Sequence, residues 1–234
     1  MANRYFDNSQ LAEAVRIANG QTTGVSHVNK FGYNNAVGGT QETIWDAGGL
    51  YAYASAPTLL TVTSTQDDSG LDIEIQGLDS DYFPLTETIT TSSGGTVGTS
   101  RFSRVFRALI ISEADSANED NINITGDGKT LARISAEKGQ TLMALYTVPA
   151  NKTAYLQKFQ GSVSAQNAPG IFKIMAKPVD GAFNVKGQFG TAGTPVTYDY
   201  PVPLQFGEKT DIEIRATSGN NGAGAVFDLI ILDN

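Results

Sequence analysis

The sequence predicts an all-β protein: an antiparallel β-sandwich of jelly-roll type, in one or two sandwiches, with a short N-terminal helix. Three observations point there: 25 glycines amid many Thr, Ser and Asn residues, a recurring period-two alternation of apolar and polar side chains, and no cysteine. Gly, Asn and Ser make tight turns and Thr fits a pleated strand, so this composition suits short strands joined by turns. Without cysteine there is neither a disulfide framework nor a thiolate metal site, and stability has to come from packing and strand pairing. At 234 residues the chain is long enough to bury a core unaided.

The helix is expected over residues 8–19, where Ser9 caps, Leu11, Ala14, Val15 and Ala18 share one face, and Gly20 ends it. A helix of about 12 residues is marginal in water by itself, so it packs either on its own sandwich or on a neighbouring subunit. Residues 1–22 are therefore expected to form a docking segment, with Leu11 and Val15 as candidate partner-binding residues.

Beyond it, Leu71, Ile73 and Ile75 face one way and Asp72, Glu74 and Gln76 the other. Residues 85–91 form a threonine-rich strand. Residues 101–112 alternate Val105, Leu109 and Ile111 against Phe102, Phe106 and Ile110, apolar on both faces toward the end, as in a central strand. Asp115, Ser116, Asn118, Glu119 and Asp120 then interrupt the pattern. That polar stretch divides the chain into a first sandwich over 23–114 and a second, jelly-roll-like one over 121–234. The second holds strands near 141–148, 153–162, 171–177, 211–217 and 226–232, with Pro149-Ala150-Asn151-Lys152 as a hairpin turn between the first two. The expected core includes Ile73, Ile75, Leu109, Ile111, Leu145, Tyr146, Ile214, Leu229 and Ile231. Asp72-Ile73-Glu74-Ile75 is echoed by Asp211-Ile212-Glu213-Ile214, and Val105-Phe106-Arg107-Ala108-Leu109-Ile110-Ile111 by Val226-Phe227-Asp228-Leu229-Ile230-Ile231. Internal duplication and convergent strand patterning both explain such echoes.

Little in the chain points to catalysis. His27 is the sole histidine, which rules out His clusters and paired-imidazole mechanisms. Ser26 stands beside it, but Val28 replaces the second glycine of a nucleophile elbow, and neighbours on an extended chain point to opposite faces. Gly128-Lys129-Thr130 ends like a phosphate-binding loop, yet Asn123 stands where its first glycine belongs, and Asp127-Gly128 reads as a tight turn of type I′. Asp67, Asp68 and Asp72, like Glu119 and Asp120, lack EF-hand spacing and read as solvated turn carboxylates. No catalytic, cofactor-binding or metal-binding residue is assigned, and no cofactor is expected. Trp45, Tyr51 and Tyr53 are either core fillers, the reading favoured for Trp45, or an aromatic patch that anchors a partner. Tyr51 and Tyr53 fall on one face, so they bury or bind together.

A formal charge of −8 and a pI near 4.6 repel phosphate backbones, so no nucleic-acid partner is expected. No run of 18 apolar residues occurs, and residues 1–7 lack the basic and apolar parts of a signal peptide, so neither membrane insertion nor export is expected.

Several segments look familiar as a set: Gly24-Val25-Ser26-His27-Val28-Asn29-Lys30-Phe31-Gly32, Glu42-Thr43-Ile44-Trp45-Asp46-Ala47-Gly48-Gly49, Gln76-Gly77-Leu78-Asp79-Ser80-Asp81-Tyr82, Tyr200-Pro201-Val202-Pro203-Leu204 and the terminal Phe227-Asp228-Leu229-Ile230-Ile231-Leu232-Asp233-Asn234. In that order the chain resembles virion structural proteins of tailed bacteriophages, especially phages of marine and freshwater bacteria. The resemblance implies a virion component made in the host cytoplasm, without catalytic residues. Its implied partners are the major capsid protein or other virion proteins, and further copies of itself in a homo-oligomer. A capsid decoration or cement protein is the leading expectation, since many symmetry-related sites let modest contacts add up. The alternatives are a tail, adaptor or fibre-attachment component, and a receptor- or glycan-binding module that uses Trp45, Tyr51 and Tyr53 as a stacking platform.

Overall fold

A computed structural model of the chain describes residues 8–64, 68–112, 118–166 and 168–234; the side chains of residues 8–12 lie outside that description. Helix α1 (Asn8–Ala18) ends in a Schellman motif: the Gly20 N–H donates to the Ile17 carbonyl and the Gln21 N–H to the Arg16 carbonyl, with Gly20 at φ 66°. The strands are β1 (Val25–Val37), β2 (Glu42–Thr43), β3 (Thr58–Ser64), β4 (Asp72–Leu78), β5 (Pro84–Thr90), β6 (Thr96–Phe102), β7 (Arg104–Ile110), β8 (Ile122–Gly126) and β9 (Lys129–Ile134). They continue with β10 (Leu145–Thr147), β11 (Lys152–Val163), β12 (Pro169–Lys177), β13 (Asn184–Ala192), β14 (Val196–Phe206), β15 (Asp211–Thr217) and β16 (Asn221–Asp233).

These strands pair antiparallel into four sheets that form two sandwiches. In the first sandwich, a sheet ordered β1-β16-β11-β14 faces one ordered β10-β15-β12-β13, with β2 added on β15. Their inner faces meet through Leu156, Phe159, Phe172, Ile174, Ile212, Ile214, Phe227 and Leu229, all fully buried. On β15 alternation alone puts Ile212, Ile214 and Ala216 inside. On β11 a bulge between Leu156 and Lys158 resets the phase so that Phe159 returns to the core three residues after Leu156. In the second sandwich the sheet β6-β3-β8-β9 faces β5-β4-β7 around Leu60, Val62, Ile73, Ile75, Phe102, Ile122 and Ile124. The β8–β9 connection is the expected Asp-Gly turn, with Asp127 at φ 53° and Gly128 at φ 67°.

The chain enters the first sandwich, leaves it to build the whole second sandwich, and returns. The two passages lie side by side: Trp45 bridges Met143, and the Ala144 N–H donates to the Ile44 carbonyl at 2.9 Å. The Ile44 N–H in turn donates to the Ile214 carbonyl at 2.9 Å, and the Ile214 N–H to the Ala144 carbonyl at 3.0 Å, which fastens both passages to β15. Gly32 of β1 crosses so close that a Cβ there would sit 2.4 Å from the Ala144 nitrogen and the Ile44 oxygen, so a glycine is needed.

Pairing therefore groups the chain differently from units 23–114 and 121–234: β1 pairs with β16, while β8 and β9 join β3. Asp115 and Ser116 of the polar stretch lie outside the described residues. Strand β7 is at the end of its sheet, not the centre; its second apolar face exists because Phe106 reaches across to Tyr146 of the first sandwich, with ring centroids 4.9 Å apart. A register shift opposite Gln76 and Gly77 leaves Phe106 as an extra residue. The buried residues of β7 are consequently Val105 and Ala108, whereas Leu109 is half-buried and Ile111 is 47% exposed. The Pro149–Lys152 turn, with Asn151 at φ 59°, is not a hairpin: β10 lies in one sheet of the first sandwich and β11 in the other. The echoed segments also diverge, since β4 pairs with β7 but β15 and β16 lie in opposite sheets.

Ile75 and Leu229 are fully buried, one in each core. Replacing either with alanine is expected to destabilise the protein by about 2–5 kcal/mol through lost transfer energy and an unfilled cavity, measured by urea denaturation.

Candidate functional site

The most chemically dense region surrounds the two passages between the sandwiches. Trp45 and Tyr51 are 4% and 7% exposed, and Tyr53 is half-buried. Their rings meet edge to face, Trp45 to Tyr51 at 5.0 Å and Tyr51 to Tyr53 at 4.7 Å. The Trp45 Nε1–H donates to the Gly48 carbonyl at 2.9 Å, and the Tyr51 hydroxyl to the Leu131 carbonyl at 2.9 Å, so both polar tips are used inside the fold. Buried rings of this kind offer no stacking platform to a glycan.

Tyr53 leads into a charged network on the outward face of β15. Arg104 grips Asp211 with two parallel bonds, Nε to Oδ1 at 2.7 Å and Nη2 to Oδ2 at 3.0 Å, while the Thr147 hydroxyl donates to the same carboxylate at 2.7 Å. The Arg104 guanidinium also lies over the rings of Tyr53 and Tyr82 at 5.1 and 5.2 Å. Glu213, fully buried, pairs with Arg215 and accepts from Thr43 and Tyr53 at 3.4 Å. Burial pushes the Glu213 carboxyl up, against the pull of Arg215. Alternation marks Asp211, Glu213 and Arg215 as a solvent face, but Arg104 of the second sandwich closes over Asp211, Thr43 and Tyr53 meet Glu213, and Arg215 lies against the Phe183 ring. Only the short-range bias of a single strand was available in the sequence to place them.

A further carboxyl of raised pKa is that of Asp46, half-buried, which accepts from the Leu142 N–H at 2.6 Å and the Ser135 hydroxyl at 3.1 Å. Desolvation raises its pKa from 3.8 to about 7, outweighing those two bonds.

The other motifs resolve into local structure. His27 Nε2 sits 3.2 Å from Asp228 Oδ1, which also accepts from Asn29 at 2.7 Å, on an exposed stretch of β1 and β16. Asp68 accepts from Ser64 and from the Glu119 N–H, and Asp72 from Thr90; Asp67 lies outside the described residues. Among the described residues no group of three or more His, Asp or Glu side chains could hold a metal ion, and no helix is long and apolar enough to cross a membrane.

Exposed apolar side chains occur at several points, among them helix α1 and the edge strands β13 and β14. Helix α1 stands on the outer face of β1 and β16 over a crevice of about 520 Å³, lined by Ala14, Ile17, Ala18, His27 and Ile230, with Val15 50% exposed. The side chain of Leu11 lies outside the described residues. The edge strands β13 and β14 carry Val185, Tyr198 and Val202, the last 79% exposed between Pro201 and Pro203. Those prolines lack N–H groups and sit where β14 loses register with β11, which blunts the edge.

No family model and no curated protein matches this sequence. Among solved structures, the chain is similar at 11% identity to a chain in the structure of the infectious bursal disease virus Gx strain, covering 88% of this chain and 70% of that one with a TM-score of 0.22. It is similar at 12% identity to a chain of infectious bursal virus derived T=1 particles, covering 89% and 74% with a TM-score of 0.23. A third similarity, at 11% identity, is to the infectious bursal disease virus VP2 subviral particle, covering 89% and 76% with a TM-score of 0.20.

Two outcomes are expected. Asp211→Ala strands Arg104 without its carboxylate and should cost about 3–5 kcal/mol, read by urea denaturation. Asp46→Asn keeps an acceptor for Leu142 and a donor for Ser135. The folded state holds the Asp46 proton between roughly pH 4 and 7, so the wild type loses stability as pH rises through that window. The variant should therefore gain on the wild type above pH 7 and match it near pH 4, in thermal melts across pH.

Proposed function

We propose that the protein is a non-enzymatic structural component of a virus particle, most specifically a decoration or cement protein bound to the outside of a phage capsid. The observation that carries this reading is the division of labour in the molecule. Polar and aromatic groups are consumed inside, in the Arg104–Asp211 and Trp45–Tyr51–Tyr53 networks, while apolar surface is offered by helix α1 and its crevice at one end of β1 and β16. A helix whose described residues Ala14, Val15, Arg16 and Ala18 stay exposed suits insertion between subunits of a shell. The phage-like segments noted in the sequence support the same reading. Repeated attachment at symmetry-related positions lets a small apolar contact per copy hold firmly.

A tail, adaptor or fibre-attachment role uses the same surfaces, and copy number per particle distinguishes it: decoration requires tens to hundreds of copies, set by shell symmetry. The chain truncated to begin at Gln21 should fold yet load poorly onto particles built from the cognate major capsid protein, in co-sedimentation. Equal loading would make α1 a cap on its own sandwich. The purified protein is expected to turn over neither host polysaccharide, peptidoglycan nor nucleotides; turnover abolished by a carboxylate substitution would overturn the non-enzymatic reading.

A further inference from the structure

A cleft of about 260 Å³ opens between β1 of the first sandwich and β4 and β7 of the second, lined by His27, Lys30, Gln76, Arg107 and Tyr146 among others. Its chemistry is unusual for an acidic protein. Lys30 is 6% exposed, and its ammonium donates to the Phe106 carbonyl and stands 5.7 Å from the centre of the Phe106 ring. One acceptor leaves two of the three ammonium hydrogens unmatched. Arg107 donates to Gln140 at 3.3 Å. Among the described residues no carboxylate lies within ion-pair distance of either cation. Tyr146 is also 6% exposed, and its hydroxyl has no hydrogen-bond partner among the described residues.

The Lys30 and Arg107 cations and the Tyr146 phenol line one cleft in which, among the described residues, no carboxylate balances the charge, and burying charge uncompensated is costly. We propose that this cleft is a binding site for a single carboxylate group, held by the Lys30 ammonium, the Arg107 guanidinium and the Tyr146 hydroxyl. The guanidinium fork matches a planar carboxylate. Asp228 at the rim, bonded to His27 and Asn29, and Glu74, bonded to Gln76, disfavour a more highly charged anion. The carboxylate comes either from a small free acid or from an Asp or Glu side chain of an adjoining protein chain.

Burial and the neighbouring Arg107 lower the Lys30 pKa from 10.5 to about 7. A bound carboxylate favours the ammonium, so binding strengthens below pH 7 and weakens above it. Besides Arg107, the titratable groups around the cleft are His27 on β1, Asp228 on β16, Glu74 on β4 and Tyr146 on β10.

The test is an NMR titration of the full chain at constant ionic strength, with sodium acetate and separately with acetyl-Ala-Asp-Ala-amide, at pH 6 and pH 8.5. Saturable shifts are expected at the amides of residues 27–30, 106, 107 and 146, with affinity falling about tenfold or more at the higher pH. Arg107→Gln and Lys30→Met should each weaken binding at least about tenfold. Tyr146→Phe preserves the ring against Phe106 and should weaken it several-fold, which keeps the test decisive if Lys30→Met fails to fold. His27→Gln should leave the pH dependence in place. A tighter peptide than acetate assigns the carboxylate to a neighbouring chain, and equal affinities assign it to a small acid. Absence of saturation by both probes, identical binding in Arg107→Gln and Tyr146→Phe, or loss of the pH dependence in His27→Gln would overturn the proposal.

Discussion

The three-way exchange of backbone hydrogen bonds among Ile44, Ala144 and Ile214 is the constraint on which the rest of the molecule depends. It holds the outgoing and returning chain together at the point where one sandwich gives way to the other. Because the bonds are backbone ones in a dry interior, they tolerate little displacement. Gly32 adds a steric limit, since no larger residue fits between β1 and the paired passages. With this neck closed, the second sandwich has both its ends at one place and meets the first across a fixed contact.

The charged residues at that contact make sense as a consequence. A hydrophobic junction alone would let two sandwiches slide over one another, whereas a bidentate Arg104–Asp211 pair with Thr147 as a third partner accepts one orientation. Net stabilisation from such a buried pair is small, because desolvation opposes the Coulomb attraction. Its contribution is to orientation, and the aromatic rings of Tyr53 and Tyr82 around the guanidinium serve the same end. Consuming these groups internally removes them from the surface offered to other molecules.

How much of this was legible in the sequence depended on the range of the forces involved. Local rules worked where local physics decides: period two placed Ile73, Ile75, Ile214 and Leu229 in the cores, Gly20 stopped the helix, and Asp127-Gly128 turned the β8–β9 hairpin. They lost phase at the β7 bulge, where Phe106 is drawn toward Tyr146 by a contact that no window of β7 contains, so Leu109 and Ile111 were assigned to a face they do not bury. Strand partners were illegible for the same reason: nothing in Val25–Val37 names a partner almost two hundred residues away. Of the candidate site residues, Val15 is exposed, while Trp45 and Tyr51 are interior. Lys30 is not legible as a site residue in the sequence, because a lysine on a strand ordinarily reaches water and the cleft that buries it exists only once the two sandwiches have met.

The nesting of one sandwich inside the other also sets an order of events during synthesis. Strands β3 to β9 form a contiguous stretch whose partners are all at hand once β9 has emerged, so the inserted sandwich can condense early. Strand β1, made first, waits for β16, which is made last, and closing so long a loop is slow. Until then the nascent chain displays an unpaired β1 with Val25, Val28 and Phe31 beside an already finished module. A ribosome-bound intermediate of this kind is half native and half adhesive, and the rate at which the final strand arrives governs how long neighbouring chains can capture it.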